Sequence, residues 1–450
     1  MAFPSNFRWG VAAASYQIEG AAYKDGKGLS IWDLFCRQPG KIKNSDTGDD
    51  ACDHYHRFRE DISLMAKIGI GAYRFSVSWS RVLPEGIGKI NEKGIAFYDR
   101  LVDELLNKNI EPWLTIFHWD YPYALFCKGG WLNRDSSNWF TEYTKVLVDR
   151  LSDRVTHWLT QNEIQIFIGE GHQTGVHAPG LSLGFRDVLQ ATHNALLAHG
   201  KAVQVIRARA KHKALIGVAP VAVVNYPESG KKSNVQVARQ SMFAVEYKNY
   251  WNNSWFMDPM FFGRYPEDGL ELFKDEIPEI KPDDMDTICQ PLDFFAANIY
   301  FGSKVSAHEH NRYELVRAEK GAGFTANGWA ITPEALYWGP KFLYERYNLP
   351  IVITENGMAG NDWIHVDGKV HDPQRIDFLT RYLAQYKKAI GQGIPALGYF
   401  LWSFIDNFEW SQGYKQRFGI IFNDYKTQKR ILKDSAFWYK DVISSNGEYL

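Results

Sequence analysis

Short runs of apolar and β-branched residues recur along the chain, most of them separated by a stretch long enough for a helix. This alternation is the feature that most constrains the fold. The runs are Phe7 to Ala13, Ala72 to Val77, Pro112 to Phe117, Val155 to Thr160, Ile216 to Val221, Asp293 to Asn298, Ile351 to Thr354 and Ala396 to Leu401. Helical periodicity appears over Tyr55 to Lys67, Gly94 to Asn107, Trp139 to Leu151 and Arg186 to Ala210. In the second of these, Leu101 and Leu105, with Ile110 just beyond, line one face, while Asp99, Asp103 and Glu104 share another with Lys108. Strands alternating with helices predict an α/β protein whose parallel sheet closes into a (β/α)8 TIM barrel. The period also admits an open, doubly wound sheet. Against that, no G-x-G-x-x-G follows the first run and no Walker loop occurs anywhere. No low-complexity tract or Pro/Gly/Ser-rich linker divides the chain, so residues 1–450 are expected to form a single catalytic domain, with loop insertions on the active-site face. The stretch from Ala222 to Met285 is expected to be an excursion on that face.

Several classes of partner are disfavoured by composition. The formal net charge is -1, so no strong field draws in nucleic acid or an anionic membrane. No segment approaches the roughly 20 apolar residues that span a bilayer. The opening residues, MAFPSNFRWG, lack a basic segment followed by an apolar run, so no secretory signal is expected. Cys36, Cys52, Cys127 and Cys289 are scattered without a C-x-x-C pair, which favours a reduced, cytoplasmic setting over a disulfide framework or a zinc site. The chain carries 16 Trp, 24 Tyr and 28 Phe. These flat faces suit either a large aromatic core or a cleft that stacks on sugar rings, and composition alone does not choose.

In a parallel barrel, functional groups sit at the C-terminal ends of strands. The first run leads into Gln17 and Glu19. The second carries Arg74 among β-forming residues. The third ends in Phe117-His118-Trp119-Asp120, the fourth in Thr160-Gln161-Asn162-Glu163 and the sixth in Asn298-Ile299-Tyr300. The seventh ends in Thr354-Glu355-Asn356-Gly357, and the eighth in Trp402-Ser403, with Glu409-Trp410 beyond. A single polar residue at a strand end is unremarkable, because strand ends are exposed. Two carboxylates after β-branched runs, joined by Arg, His, Asn, Tyr and Trp at the other ends, are better explained by chemistry. Glycoside hydrolysis needs two carboxylates, one to protonate the leaving oxygen and one to attack the anomeric carbon or activate water. The two need different protonation states, and Arg74 is a plausible partner to keep one of them ionised.

These motifs resemble the family 1 glycoside hydrolases, the β-glucosidase and β-galactosidase family, over essentially the whole chain. The resemblance is carried by FRWGVAAASYQIEG, YRFSVSWSRVLPEG, FHWD, TQNE, NIY, ITENGM, LWSFIDNFEWSQGY and RFGI, in that order. It implies a retaining β-glycosidase, most naturally a β-glucosidase, that works by double displacement, can transglycosylate and needs no cofactor or metal. It implies Glu355 as nucleophile and Glu163 as acid/base. Asn162 would bond the sugar 2-hydroxyl, while Arg74 and Tyr300 hold Glu355 and Asn298 joins that cluster. Gln17, His118, Glu409 and Trp410 would bind the glycone, Trp402 would floor it, and Trp329 would wall the aglycone. A cis peptide between Trp402 and Ser403 is also implied. Gln161, Ile164 and Gln165 stand where the family usually has Leu, Pro and Trp, so Gln165 is expected to alter the aglycone mouth and with it glucose inhibition. Tyr121, where Leu is commoner, is expected to matter little.

Other readings fare worse. His54 and His56 lie two apart in a helical run and so point to different sides, and no H-E-x-x-H occurs, which disfavours a metal hydrolase. A sugar-binding protein without catalysis should have lost a carboxylate. A 6-phospho-β-glycosidase should lack the carboxylate Glu409 and offer cations instead. The expected partners are β-glucosides and oligosaccharides.

Overall fold

Each of the eight apolar runs forms a strand in the computed structural model, which describes residues 2–308 and 313–450. The strands are β1 (Arg8–Ala12), β2 (Ala72–Ser76), β3 (Glu111–Phe117), β4 (His157–Asn162), β5 (Leu215–Ala219), β6 (Phe295–Asn298), β7 (Ile351–Asn356) and β8 (Ala396–Trp402). A barrel helix follows each: α1 (His54–Ile68), α2 (Glu92–Asn107), α3 (Ser136–Leu151), α4 (Phe185–Arg209), α5 (Ser254–Phe262), α6 (Ala335–Tyr347), α7 (Pro373–Gly391) and α8 (Asp434–Ser444).

The strands pair in parallel in the order β5-β4-β3-β2-β1-β8-β7-β6. Residues flanking the remaining seam draw β5 and β6 together. Asp293 N donates to Ile216 O at 2.9 Å, Asn298 N to Pro220 O at 3.1 Å and Ala222 N to Asn298 O at 3.0 Å. The open doubly wound alternative is thereby ruled out. Strands covered on both faces must be apolar almost throughout, and β2 and β7 are buried at every position. Outside the barrel the helices are amphipathic. Asp99 and Asp103 of α2, on the charged face read from the sequence, pair with Arg154 just beyond α3 at 2.7 and 2.5 Å.

The stretch from Ala222 to Met285 differs from its expectation. It is not only an excursion on the active-site face, because it contains α5, the barrel helix between β5 and β6. Phe261 of α5 stacks on Phe295 of β6 with ring centroids 5.0 Å apart. The helix was hard to read because SWFMDPMFF is apolar all round and carries Pro259. The segments flanking α5 are the inserted part. The one before it carries a short strand, Val224–Pro227, and a helix, Lys232–Phe243, and brings Trp251 to the cleft described below.

Strand register sets which side chains meet at the rim. Ala12 sits level with Arg74 on one side and Trp402 on the other. Glu355 sits level with Asn298, after a register shift between Ile353 and Glu355. Such irregularities re-aim a strand's last residues. The loops after β7 and β8 are tied together by buried charges. Lys433 Nζ, beyond β8, contacts Asp362, beyond β7, at 2.5 Å as well as Asp406 at 2.7 Å, and Arg375 Nη2 donates to Arg417 O at 2.7 Å. Among the described residues no helix is long and apolar enough to cross a membrane.

Candidate active site

Glu163 and Glu355 come from the ends of β4 and β7, strands separated in the barrel by β5 and β6. Glu163 follows β4 and adopts a left-handed backbone conformation, φ +49°, which non-glycine residues rarely take unless their surroundings impose it. Its N–H donates to Ala219 O of β5 at 2.7 Å, which holds that turn in place. Glu355 is the penultimate residue of β7. Both side chains are buried.

A continuous polar network links the two. Arg74 Nη1 donates to Glu355 Oε1 at 2.6 Å, and the Tyr300 hydroxyl donates to Oε2 at 2.7 Å. Arg74 is oriented by Thr115 Oγ1, which accepts from Nε at 3.1 Å, and its Nη2 donates to Asn162 Oδ1. Asn298 Nδ2 donates both to Glu163 Oε1 at 2.9 Å and to Asn162 Oδ1 at 3.0 Å. Thr354 Oγ1 in turn donates to Asn298 Oδ1 at 2.7 Å and fixes that amide's orientation. Asn162 Nδ2 donates to His118 Nε2 at 3.1 Å. The ring nitrogen is then an acceptor, and burial together with the Arg74 charge keeps His118 well below the usual histidine pKa.

The electrostatics differ between the carboxyls. Burial raises the pKa of Glu163 well above the ordinary value, and the charge of Glu355 raises it further. Burial also raises Glu355, but Arg74, Tyr300 and Asn298 all act against it. Within the pair, the proton is therefore held on Glu163.

Around this pair lies a cleft of about 410 Å³. Trp402 and Trp410 flank His118, with ring centroids 5.9 Å from the imidazole on each. The Trp402–Ser403 peptide is cis. Trp410 is packed by Trp32 and Trp119 at 4.6 and 4.5 Å. Gln17 Nε2 donates to Glu409 Oε2 at 3.2 Å and to Phe408 O at 2.9 Å, while its Oε1 is buried without a protein partner. Gln17 thus stands behind Glu409 and does not itself line the cleft. Burial first, and the charge of Glu355 second, push Glu409 up to about 8. Trp329 stands 5.0 Å from the ring of Tyr300 and forms part of the outer wall with Phe301 and Phe418.

The residues to which the resemblance gives a catalytic or sugar-binding role, from Gln17 to Trp410, thus lie on one cleft or directly behind it. Gln165 does not. It is fully buried, its Nε2 donates to Val221 O at 2.9 Å, and it does not line the cleft. The expectation that it shapes the aglycone mouth is wrong, because the short helix after Glu163 turns position 165 into the protein and presents Ile166 to the cleft instead. Tyr121 packs among Trp79 and Trp131 in the interior, away from the cleft. Sequence reasoning missed Thr115, Trp119, Glu170, His177, Trp251, Asn327 and Gln416. Trp119 lay in a quoted motif without a role, and the others carry no motif. His54 pairs with buried Asp61, and His56 with Asp53 near the surface. Among the described residues no cluster of His, Cys, Asp or Glu could hold a metal ion.

A parallel barrel whose C-terminal rim carries two buried carboxylates, linked by one asparagine and facing an aromatic-walled cleft, has the fold and the groups of a glycoside hydrolase. The chain belongs to glycosyl hydrolase family 1, whose family model matches residues 1–448. It is 47% identical over 449 residues to a 1,4-beta-D-glucan glucohydrolase of Thermotoga neapolitana, covering 99% of each chain. It is also 47% identical to beta-glucosidase A of Thermotoga maritima, covering 99% of this chain and 98% of that one. Among solved structures, the beta-glucosidase from Thermotoga maritima in complex with glucoimidazole is similar with a TM-score of 0.90 at 46% identity, covering 99% of both chains.

Proposed function

We propose that the protein is a retaining β-glucosidase that releases terminal, non-reducing β-D-glucosyl residues from glucosides and oligosaccharides, with residues 1–450 acting as one catalytic domain. The observation that carries this reading is the asymmetric carboxyl pair, with Glu355 clasped by Arg74 and Tyr300 and Glu163 kept protonated by burial and by Glu355 itself. The names of the relatives point to the same substrate class.

The chemistry follows from that asymmetry. Glu355 attacks the anomeric carbon as Glu163 passes its proton to the departing oxygen, which breaks the glycosidic bond and leaves an ester between sugar and Glu355. Esterification removes the charge that kept Glu163 protonated, so its pKa falls and it becomes the base. It takes a proton from water, the water oxygen attacks the anomeric carbon, and Glu355 departs with the β configuration restored. A sugar hydroxyl in place of water gives transglycosylation. Asn162 is placed to bond the 2-hydroxyl. Gln17, His118, Glu409 and Trp410 bind the remaining glycone hydroxyls over the Trp402 floor, and Trp329 walls the aglycone. None of these steps calls on a cofactor or metal. A reduced, cytoplasmic setting suits the four free thiols.

The test is azide rescue. In Glu163→Ala an aryl glucoside with a good leaving group should still form the intermediate, and azide should release it as β-glucosyl azide. In Glu355→Gly azide should occupy the vacated space and give the α-anomer. Reversed anomers would exchange the two roles, and full activity in both variants would move the catalytic pair elsewhere.

A further inference from the structure

The cleft described above is bordered by four carboxylates, Glu163, Glu170, Glu355 and Glu409, and by two histidines, His118 and His177. Among the described residues no lysine or arginine lines it. Three of the carboxylates belong to the chemistry or to the glycone corner. Glu170 does neither. It lies on the turn Gly169–Gln173, seven residues beyond Glu163, and shares the outer part of the cleft with Ile166, Val176, His177 and Trp251. Its side chain is 26% exposed, and Trp251 beside it is 40% exposed, so this is the mouth and not the floor.

The carboxylate is built in. His177 Nδ1 lies 3.0 Å from Oε2, and the Tyr250 hydroxyl donates to Oε1 at 3.5 Å. Burial alone would raise its pKa, but the His177 ring and the Tyr250 hydroxyl outweigh burial and hold Glu170 below the ordinary glutamate value. An ionised group therefore stands at the mouth of the cleft, with His177 as its partner and no lysine or arginine among the described residues that line the cleft. Its field reaches inward too, since it adds to the charges that raise Glu163.

We infer that Glu170 is a specificity-determining residue of the aglycone site, which selects cationic and neutral aglycones and disfavours anionic ones. This deepens the proposed function and rests on it. The physical reason is the charge that Glu170 presents at the mouth. An incoming carboxylate would be partly desolvated beside Glu170, where the nearest group able to carry positive charge, His177, is already engaged at Oε2, whereas an ammonium group would replace lost water with an ion pair to Glu170. The flanking apolar surfaces of Ile166, Val176 and Trp251 sharpen the effect by lowering the local polarity.

The experiment uses three aryl β-glucosides with 4-aminomethyl, 4-hydroxymethyl and 4-carboxymethyl substituents. The methylene keeps the charge from strongly altering the phenol as a leaving group. The readout is the ratio of kcat/KM for the ammonium substrate to that for the carboxylate substrate. In the wild-type enzyme at low ionic strength this ratio should be roughly fivefold or more in favour of the ammonium, and should shrink with added salt. Glu170→Gln should bring the ratio close to unity, and Glu170→Asp should keep most of it. A ratio unchanged by Glu170→Gln, or a wild-type enzyme indifferent to aglycone charge at low salt, overturns the assignment. If Glu170→Gln does not fold, the wild-type salt series and Glu170→Asp decide alone. Failure to cleave even the neutral glucoside would instead count against the proposed function, so the two failures are distinguishable.

Discussion

Arg74 Nη1 sits 2.6 Å from Glu355 Oε1, and both side chains are almost wholly withdrawn from solvent. Arg74 comes from the middle of β2 and Glu355 from the end of β7, 281 positions apart. A buried pair of this kind is weak evidence for stability, since desolvating two charges offsets much of their attraction. Its value lies in the chemistry. It biases one of two neighbouring carboxyls toward the ionised state while its neighbour stays protonated.

Replacing Arg74 by Met should therefore do more than loosen the structure. Glu355 would lose its main opposing charge, and its pKa would rise further. Because the nucleophile must be ionised, the acidic limb of kcat/KM should move to higher pH, with a loss at the optimum on the order of 10²–10³-fold, the scale for removing one preorganised electrostatic contact. A pH–rate profile of the variant checks this, and an unmoved acidic limb would mean that Arg74 does not control the nucleophile.

Glu355→Gln tests the coupling from the other side. Burial and the Glu355 charge both raise Glu163. Removing the charge should lower the pKa of Glu163 while leaving the burial contribution in place. The group should thus titrate below its wild-type value but still above an ordinary glutamate, as read by carbon NMR of labelled glutamate in the inactive variant.

Glucosides carrying a 6-phosphate should be cleaved far less efficiently than unphosphorylated ones, by about 10²-fold or more in kcat/KM, since a buried dianion without a partner is costly. The reason differs from a simple repulsion by Glu409. That carboxyl is pushed up to about 8, so it is mostly neutral at pH 7 in the free enzyme. The barrier is the lack of any lysine or arginine among the described residues that line the cleft. Glu409→Ser alone should consequently fail to restore the phosphorylated substrate, and adding a cation should be needed. Comparable efficiency on both substrates in the wild type would refute this account.

Gln165→Trp should act on stability and not on glucose inhibition. The position is fully buried and its amide ties down Val221 O. A larger ring there overpacks the site and breaks that bond, at about 1–3 kcal/mol. Urea unfolding should show a lower midpoint. An unchanged midpoint with altered glucose inhibition would reinstate the mouth reading that the structure argues against.

The sequence by itself determined eight strands alternating with helices and set Glu163 and Glu355 at two of the strand ends, because both are written in local pattern, while closure of the sheet into a barrel came from the contacts between β5 and β6. A strand covered on both faces must be apolar along its length, a helix laid against it must be amphipathic, and polar residues that interrupt the pattern at strand ends stand out. The motifs around Glu163 and Glu355 did the rest. What only the tertiary structure decided are contacts between distant segments and the facing of short ones. Thr115, level with Ser76 on the neighbouring strand, orients Arg74, and Thr354, next to the Glu355 that is level with Asn298, orients Asn298, contacts that exist only once the strands are side by side. The helix 254–262 was obscured because it is apolar all round and so has no period to read. Gln165 and Glu170 lie five residues apart on one short segment, yet one turns into the protein and the other to the cleft mouth. Helix geometry over a single turn and a half, ending in the looser turn at 169–173, settles that difference, and too few residues are involved for any sequence period to reveal it.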